Sequence, residues 1–290
     1  MPAANFNNLR VLSLESRRAE EISKLIVNNG GSPLVVPSVR EVPLESNIEA
    51  LNFGSKLEKG GFDIVVFMTG VGVRLLTRIL ESLYSPVRFA ELLRQVTIVA
   101  RGPKPVTALR ELGVGVNLTV PEPNTWHELL AELDRRKREY PLEGKRVALQ
   151  EYGVSNPELV AALQQRGTKV TCVPVYEWTL PEDLRPLQEA VAAIVHGEVS
   201  VLLVTSSIQV RHLFQVAKSV GSDESLRKAL ANMVIASIGP LTSEELRHES
   251  LRVDLEPSHP KMGFLVQEAA QRSSQLLQRK RMTQTSGPAS

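Results

Sequence analysis

The sequence predicts an α/β protein made of two doubly wound parallel-sheet domains that are related by an internal repeat. Short apolar runs alternate with amphipathic stretches, several runs are apolar at every position, and the whole pattern occurs twice. The length of 290 residues agrees with two domains, because one compact core seldom serves a chain of that length.

The repeat begins with a predicted strand at residues 10–14, and its counterpart lies 136 positions later at residues 146–150. In each copy a helical stretch and a glycine follow, and a second apolar run comes next, at residues 33–37 and 170–174. The order strand, helix, strand is that of a parallel βαβ unit.

The central strands of the two copies are predicted at residues 64–67 and 201–204. Both runs are apolar throughout, which is typical of strands that are buried on both faces of a parallel sheet. A threonine follows each run, Thr69 in one copy and Thr205 in the other. The repeat therefore matches both the strands and the polar residues that come after them.

Two further pairs of strands complete the copies. Residues 97–102 and 234–239 each end in a glycine that is followed by proline, and residues 116–121 match residues 252–257. Amphipathic stretches predict helices between the strands, among them residues 19–29, 156–166 and 184–195.

From the residues alone, two domain organisations are possible. Two extended, proline-containing segments match across the repeat, at residues 34–44 and 170–180, and they could pair as a hinge. Either each half of the chain forms one domain, or the middle is inserted into a domain made from both ends. Residues 279–290 have no apolar period, which predicts a disordered tail.

The composition excludes several classes of protein. The formal net charge is only +2, so no global positive field is present to hold a nucleic acid. The sequence shows neither a signal segment nor a long apolar run, and we expect a cytoplasmic monomer without membrane partners. Its single cysteine, Cys172, cannot form an internal disulfide and is expected to be buried.

Motifs for metals and nucleotides are missing from the sequence. It has no phosphate loop, no His-Glu-x-x-His and no Gly-x-Ser-x-Gly, so we expect no metal site and no cofactor. The five histidines lack ligand spacing and are expected at the surface: His127, His196, His212, His248 and His259. Gly70 and Gly72 imitate a dinucleotide fingerprint, but Leu75 replaces its third glycine, which makes an oxidoreductase a less favoured alternative.

Polar turns with small residues follow the predicted strands in both copies, at residues 15–18, 69–70, 101–104, 205–209 and 239–242. The carboxyl ends of parallel strands meet at one edge of a sheet, where helix N-termini present amide groups suited to carboxylates. The alternative is that the serines and threonines only cap helices. Because the turns recur in both copies, we favour an anion-binding cleft between two domains.

Several stretches resemble those of uroporphyrinogen-III synthases, and the resemblance runs from about residue 11 to about residue 271. The resemblance rests on the order of these stretches and on their occurrence in two copies, since no single stretch is diagnostic. The stretches are residues 14–21, 37–43, 101–109, 174–178, 204–207 and 238–242.

The resemblance implies two α/β domains joined by a two-stranded ladder, with the second domain inserted into the first. The first domain would comprise residues 1–40 and 178–278, and the inserted domain residues 45–172. The resemblance also implies the reaction. Linear hydroxymethylbilane, a small molecule rich in carboxylates, loses water and closes into uroporphyrinogen III while its last pyrrole ring is inverted, without a cofactor.

The resemblance further assigns roles to residues. Tyr176 matches the family tyrosine that is proposed to help the hydroxyl leave, as a general acid would. The family commonly has Ser-x-Arg or Ser-x-Asn where this chain has Gly70, Val71 and Gly72. This departure removes a polar contact, so the resemblance favours Thr69, Gly70 and Lys104 as substrate-binding residues in this domain. The complete set expected to bind substrate is Arg17, Thr69, Gly70, Gly102, Lys104, Ser206, Ser207, Gln209, Gly239 and Thr242.

A different class of protein would show the same features. A two-lobed binding or sensor protein could close on an anionic, tetrapyrrole-like ligand without any chemistry, and its fold would look the same. The sequence therefore predicts the synthase as the main hypothesis and the binding protein as its alternative.

Overall fold

The computed structural model describes residues 4–44, 47–151, 153 and 155–285. The chain divides into two compact units, which we call unit 1 (Met1–Arg40 together with Thr179–Ser290) and unit 2 (Glu41–Trp178). Unit 1 is discontinuous in sequence and unit 2 is continuous.

Strands and helices alternate along both units. In chain order the described elements are β1 (Arg10–Ser13), α1 (Ala19–Asn28), β2 (Ser32–Val35), β3 (Arg40–Pro43), α2 (Ile48–Glu58), β4 (Ile64–Phe67), α3 (Gly70–Leu80), α4 (Pro86–Leu93), β5 (Thr97–Ala100), α5 (Pro103–Glu111), β6 (Leu118–Thr119), α6 (Trp126–Arg135), β7 (Arg146–Gln150), α7 (Pro157–Gln165), β8 (Lys169–Val173), β9 (Tyr176–Thr179), α8 (Arg185–Val195), β10 (Val201–Val204), α9 (Ser207–Ser219), α10 (Asp223–Asn232), β11 (Val234–Ser237), α11 (Pro240–His248) and α12 (Met262–Thr285).

Each unit contains a parallel sheet. The strand order is β11-β10-β1-β2 in unit 1 and β6-β5-β4-β7-β8 in unit 2. The repeat pairs β4 with β10, β5 with β11, β7 with β1 and β8 with β2, so the order β5-β4-β7-β8 reproduces that of unit 1. The counterpart of β6 is an isolated bridge between Ala236 and Leu255. The predicted fold class and its internal repeat are confirmed.

Helices cover both faces of each sheet, which explains why the central strands are apolar at every position. In β4, Val65 and Phe67 pack with helices α2 to α5, whereas Ile64 and Val66 pack with α6 and α7. In unit 1 one face of the sheet packs on α8 to α11 and the other on α1 and α12. Each unit therefore has two apolar layers of its own.

The two extended segments matched across the repeat are each divided. The first part of each segment joins a parallel sheet, as β2 and β8, and only the later parts, β3 and β9, pair in the two-stranded ladder. Pro37 and Pro174 lie at the divisions. Because proline has no amide N–H, a hydrogen-bonded ladder rarely continues through it. The ladder is therefore shorter than predicted.

The last helix corrects the prediction for the C-terminal tail. α12 continues to Thr285, so the expectation of disorder over residues 279–290 is wrong for 279–285, and the remainder lies outside the described residues. Lys280 holds this end of the helix. Its ammonium group lies 2.7 Å from the carboxylate of Asp254 and donates to the carbonyl oxygen of Met233. Residues 279–285 are held in α12 in part by long-range polar contacts of Lys280, which local periodicity does not reveal.

Candidate active site

Thr69 lies where β4 ends and α3 begins. Its backbone is extended, with φ −144°, and its side-chain oxygen accepts a hydrogen bond of 2.9 Å from the amide of Gly72. Thr69 is therefore the N-cap of α3, a position that favours threonine because the hydroxyl satisfies an unpaired helical N–H. For this residue the capping interpretation is confirmed.

The same hydroxyl contacts the tyrosine predicted to be catalytic. Tyr176 opens β9, and its phenolic oxygen lies 3.2 Å from Oγ1 of Thr69, so that either group can donate the hydrogen bond. The ring of Tyr176 packs edge-on against Trp178, with centroids 6.3 Å apart, and the side chain is only 3% exposed. The structure therefore joins two residues that lie 107 positions apart in the sequence.

Two predicted glycines allow close packing at this edge of the sheet. A Cβ atom at Gly70 would lie 2.6 Å from the carbonyl oxygen of Lys104. Because glycine lacks that atom, the starts of α3 and α5 can approach each other closely. A Cβ atom at Gly102 would overlap the side chain of Asn124. Gly70 therefore requires glycine for space, because its neighbour is backbone, whereas a side chain at Gly102 would require Asn124 to shift.

The start of α5 offers fewer amide donors than the sequence pattern suggested. Gly102 is the N-cap of α5, and of the next three residues Pro103 and Pro105 have no amide N–H. Lys104 therefore supplies the single amide N–H of residues 103–105, together with an exposed ammonium side chain. An anion at this helix would rely on Lys104 more than on a cluster of amides.

Two buried polar residues at the end of β7 were missed in the sequence. Gln150 is 1% exposed, and its Oε1 accepts a hydrogen bond of 3.3 Å from the amide of Thr69. Glu151 is 9% exposed and accepts a hydrogen bond of 2.8 Å from the hydroxyl of Ser155. The available signal was a polar pair that closes an otherwise apolar strand.

Cys172 lies in β8 and is half-buried, not fully buried as expected. Burial, together with the nearby carboxylate of Glu151, raises the pKa of its thiol to about 12. The thiol is therefore protonated at neutral pH and is a poor nucleophile.

In unit 1, the turn after β10 is held by its own side chains. The amide of Thr205 donates to Oε1 of Gln209, and Nε2 of Gln209 donates to the hydroxyl of Thr205, both at 2.8 Å. The Thr205 hydroxyl in turn donates to the carboxylate of Glu15 at 2.5 Å. Gln209 is 3% exposed and stabilises the turn, and its substrate-binding role stays a prediction.

The serines after Thr205 behave differently from Thr69. Ser206 is the N-cap of α9, but its side chain makes no capping hydrogen bond among the residues that the structure describes. Ser206 and Ser207 are both half-buried. The capping interpretation is wrong for Ser206, which leaves its hydroxyl for another partner.

The turn between β11 and α11 carries Gly239 and Thr242. Buried Ser243 donates to buried Ser237 at 2.9 Å, and Ser237 donates to the carbonyl oxygen of Gly239 at 3.1 Å. This pair of serines, which the sequence argument missed, fixes the first turn of α11. Thr242 lies in that turn and is 3% exposed.

A model of the family "Uroporphyrinogen-III synthase HemD" matches residues 20–267, which is most of the chain. The chain belongs to the uroporphyrinogen-III synthase family. A Bacillus subtilis (strain 168) relative, named "Uncharacterized protein YjjA", is 31% identical over 88% of this chain and 92% of its own length.

Crystal structures of uroporphyrinogen III synthase from the extremely thermophilic bacterium Thermus thermophilus share the fold. A mutant form is 25% identical, covers 95% of this chain and 99% of its own, and has a TM-score of 0.68. The wild-type structure is 27% identical, covers 96% of this chain and 100% of its own, and has a TM-score of 0.54.

Within this synthase-family chain, the predicted residues form a separate group in each unit. Unit 2 brings Tyr176, Thr69, Gly70 and Lys104 together, with Gly102 at the start of the same α5. In unit 1 the residues Ser206, Ser207, Gln209, Gly239 and Thr242 follow the neighbouring strands β10 and β11. Arg17 follows β1, the other neighbour of β10, and its side chain is exposed.

His212 corrects the expectation that every histidine lies at the surface. It lies on α9, is 5% exposed, and its Nδ1 is 2.6 Å from the carbonyl oxygen of Ser38. Burial lowers the pKa of the imidazole, although the hydrogen bond to Ser38 opposes that shift. The ring is therefore neutral at physiological pH and donates through Nδ1 to the segment that precedes β3.

The part of the chain that the structure describes holds no cluster of metal-ligating side chains. Within it no group of three or more histidine, cysteine, aspartate or glutamate side chains is arranged to hold a metal ion. Over the same ranges no helix has the length and apolar character that crossing a membrane demands.

Proposed function

We propose that the chain cyclises hydroxymethylbilane to uroporphyrinogen III, with Tyr176 as the group that protonates the departing hydroxyl. The chain is a member of a lyase family of tetrapyrrole biosynthesis, and its fold agrees with that of the Thermus enzyme. The observation that carries the residue assignment is the contact of 3.2 Å between the hydroxyl groups of Tyr176 and Thr69.

That contact suits proton donation by a phenol. Thr69 accepts a hydrogen bond from the amide of Gly72, so its own proton remains to be donated to Tyr176. A hydrogen bond received by the phenolic oxygen stabilises the charge that develops there as its proton moves to the leaving hydroxyl. The bond between carbon and the hydroxyl oxygen then breaks and releases water.

The cation left after the loss of water is reactive, so the protein has to fold the chain and keep solvent away from it. Tyr176 lies among apolar side chains of unit 2 and is 3% exposed. We propose that the side chains around Tyr176 rearrange when substrate binds, so that the substrate reaches the phenolic hydroxyl.

The carboxylates of the substrate would be met by the starts of helices. Helices α3, α5, α9 and α11 each begin directly after a parallel strand, so their positive N-terminal ends lie at the carboxyl ends of the sheets. The proposed substrate-binding groups at these positions are Thr69, Gly70, Gly102, Lys104, Ser206, Ser207, Gln209, Gly239 and Thr242, with Arg17 after β1.

The function is tested by the identity of the product. Hydroxymethylbilane is generated in situ, the protein is added, the products are oxidised, and the uroporphyrin isomers are separated by chromatography. Without a catalyst the bilane closes to isomer I without inversion, so the proposed function requires a predominance of isomer III. Isomer I alone, from protein shown to be folded, would favour a binding protein for an anionic tetrapyrrole-like ligand.

The role of Tyr176 is tested by Tyr176→Phe, which removes only the hydroxyl. General acid catalysis contributes about 10²-fold or more, so kcat should fall by at least about 100-fold while KM changes little. Tyr140→Phe is the matched control, because its hydroxyl donates to the carbonyl oxygen of Asn117 in the same unit. A kcat of Tyr176→Phe equal to that of Tyr140→Phe would remove Tyr176 from the mechanism.

We also propose a cytoplasmic location and a monomeric state for the protein. A small-molecule substrate, a net charge of +2 and the lack of a membrane-spanning helix among the described residues support a cytoplasmic enzyme that needs no nucleic acid. We propose that it acts as a monomer. Analytical ultracentrifugation of the active protein would check this, since sedimentation at twice the 32.0 kDa mass would contradict it.

A further inference from the structure

Gln150 connects the central strands of unit 2 to the start of α3. It is the last residue of β7 and lies opposite Phe67 of β4 in the sheet. Its Oε1 accepts from the amide of Thr69, and its Nε2 donates to the carbonyl oxygen of Glu151. Both ends of the carboxamide are therefore used, and the side chain is 1% exposed.

Gly72 provides the space that this carboxamide occupies. A Cβ atom at Gly72 would overlap the carboxamide of Gln150, which supplies its three nearest neighbouring atoms. Gly72 is helical and buried, and its φ lies outside the left-handed region, so the conformation itself does not demand glycine. Since glycine destabilises a helix relative to alanine, space for Gln150 is the physical reason for it.

We propose that Gln150 is a positioning residue for the reaction and that Gly72 provides the space for its carboxamide. Three hydrogen bonds connect it to the tyrosine. Gln150 holds the amide of Thr69, Gly72 donates to the Thr69 hydroxyl, and that hydroxyl contacts Tyr176. The inference rests on the proposed function, because it concerns the proton donor of that reaction.

An apolar residue at position 150 would disturb this arrangement without changing what touches the substrate. The amide of Thr69 would lose its side-chain acceptor, and the cap of α3 would be free to shift. A general acid depends on its distance to the atom that it protonates, so small displacements reduce kcat more than they reduce binding. The expected signature is a loss of kcat at a nearly constant KM.

The first experiment measures kcat and KM for Gln150→Met, which keeps the length of the side chain and removes its hydrogen-bonding atoms. We expect kcat to fall by about 10-fold, with KM within about twofold of wild type. Gln165→Met is the matched control, because Gln165 is an exposed residue on α7, and its kcat should equal that of wild type. An unchanged kcat of Gln150→Met would overturn the proposal.

A double-variant cycle shows whether the effect passes through Tyr176. In the Tyr176→Phe background, Gln150→Met should have no further effect on kcat, because the group that it positions is already gone. An undiminished effect in that background would mean general damage to the fold and would overturn the positioning role.

A second cycle keeps the test valid if Gln150→Met fails to fold. Gly72→Ala should lower kcat by about the same factor as Gln150→Met, because the added methyl group displaces the carboxamide. In the Gln150→Ala background, where space is open, Gly72→Ala should have no additional cost in kcat or in unfolding midpoint. Equal costs of Gly72→Ala in both backgrounds would overturn the proposed pairing.

Failure of this inference can be distinguished from failure of the proposed function. Wild-type protein that yields only isomer I would overturn the function and the role of Gln150 together. Wild-type protein that yields isomer III, combined with an unchanged kcat in Gln150→Met, would overturn the role of Gln150 alone.

Discussion

The hydroxyl of Thr69 takes part in two interactions at once. It accepts from the amide of Gly72 at the start of α3, and it contacts the phenol of Tyr176. A hydroxyl has one proton and two lone pairs, so both interactions can be satisfied together. Thr205, its counterpart in the repeat, uses its hydroxyl differently and bonds Glu15 and Gln209. The same residue type thus serves two different local structures.

The double role of Thr69 predicts different effects for two substitutions. Thr69→Val removes both interactions and should cost about 1 kcal/mol of unfolding free energy through the lost cap. It should also lower kcat by about 10-fold, because the phenol loses the hydrogen bond to Thr69. Thr69→Ser keeps the hydroxyl and should stay within about twofold of wild-type kcat. Urea unfolding and steady-state kinetics measure both effects.

The control for Thr69→Val is Thr77→Val on the same helix. The hydroxyl of Thr77 donates to the carbonyl oxygen of Val73 within the same helix. The kcat of Thr77→Val should remain at the wild-type value. Similar kcat values for Thr69→Val and Thr77→Val would show that the Thr69 hydroxyl has no part in the reaction.

At the scale of elements, the apolar runs predicted the central strands correctly, as β4 and β10. Burial on both faces makes every position of such a strand apolar, so the pattern is readable without the structure. The turns after these strands were also predicted, because small and polar residues mark them. What the pattern did not contain was the set of contacts between turns, such as Gln150 with Thr69.

Contacts over long sequence distances explain the predictions that were wrong. His212 was expected at the surface, but its ring reaches the carbonyl oxygen of Ser38, 174 positions away. Lys280 was assigned to a disordered tail, but it pairs with Asp254. A single polar residue carries no periodicity, so its burial depends on a partner that only the tertiary structure identifies.

The ion pair of Lys280 predicts how the end of α12 is stabilised. The side chain of Asp254 is 4% exposed and that of Lys280 is 18% exposed, so Lys280→Met would leave a buried carboxylate without its cation. We expect a loss of about 2 kcal/mol in unfolding free energy, less than for a fully buried pair because the side chain of Lys280 is partly exposed. Arg272→Met, at an exposed position of α12, should leave that free energy unchanged. Equal unfolding midpoints for the two variants would contradict the anchoring role of Lys280.

At the scale of the whole molecule, the repeat places equivalent sheets in two units that are built from different parts of the chain. Each unit has apolar layers on both faces of its own sheet. Both tryptophans of the chain, Trp126 and Trp178, belong to unit 2. Tryptophan fluorescence therefore reports the unfolding of unit 2, whereas circular dichroism reports helices of both units.

This distribution predicts that stability changes in the two units can be separated by the choice of probe. Asp63→Asn in unit 2 removes the negative charge from an ion pair of 2.9 Å with Arg146, while the amide oxygen of asparagine can still accept from the Arg146 backbone amide. Both side chains are partly exposed to solvent, so we expect a cost of about 1 kcal/mol. The fluorescence midpoint in urea should fall for Asp63→Asn and stay constant for Lys280→Met. The circular dichroism transition should change for both.

The pH dependence of Asp63→Asn provides an independent check. The guanidinium of Arg146 lowers the pKa of Asp63 from 3.8 to about 2. A depressed pKa in the folded state stabilises the protein above the unfolded value, and this contribution is lost as the pH falls from about 4 to about 2. The difference in unfolding free energy between wild type and Asp63→Asn should therefore reach its full size at pH 7 and be small near pH 2.

The independence of the two units is tested by the same two variants. A fluorescence midpoint that shifts equally for Asp63→Asn and Lys280→Met would show that the two units unfold together. In that case the separate apolar layers of each unit would not make its unfolding independent.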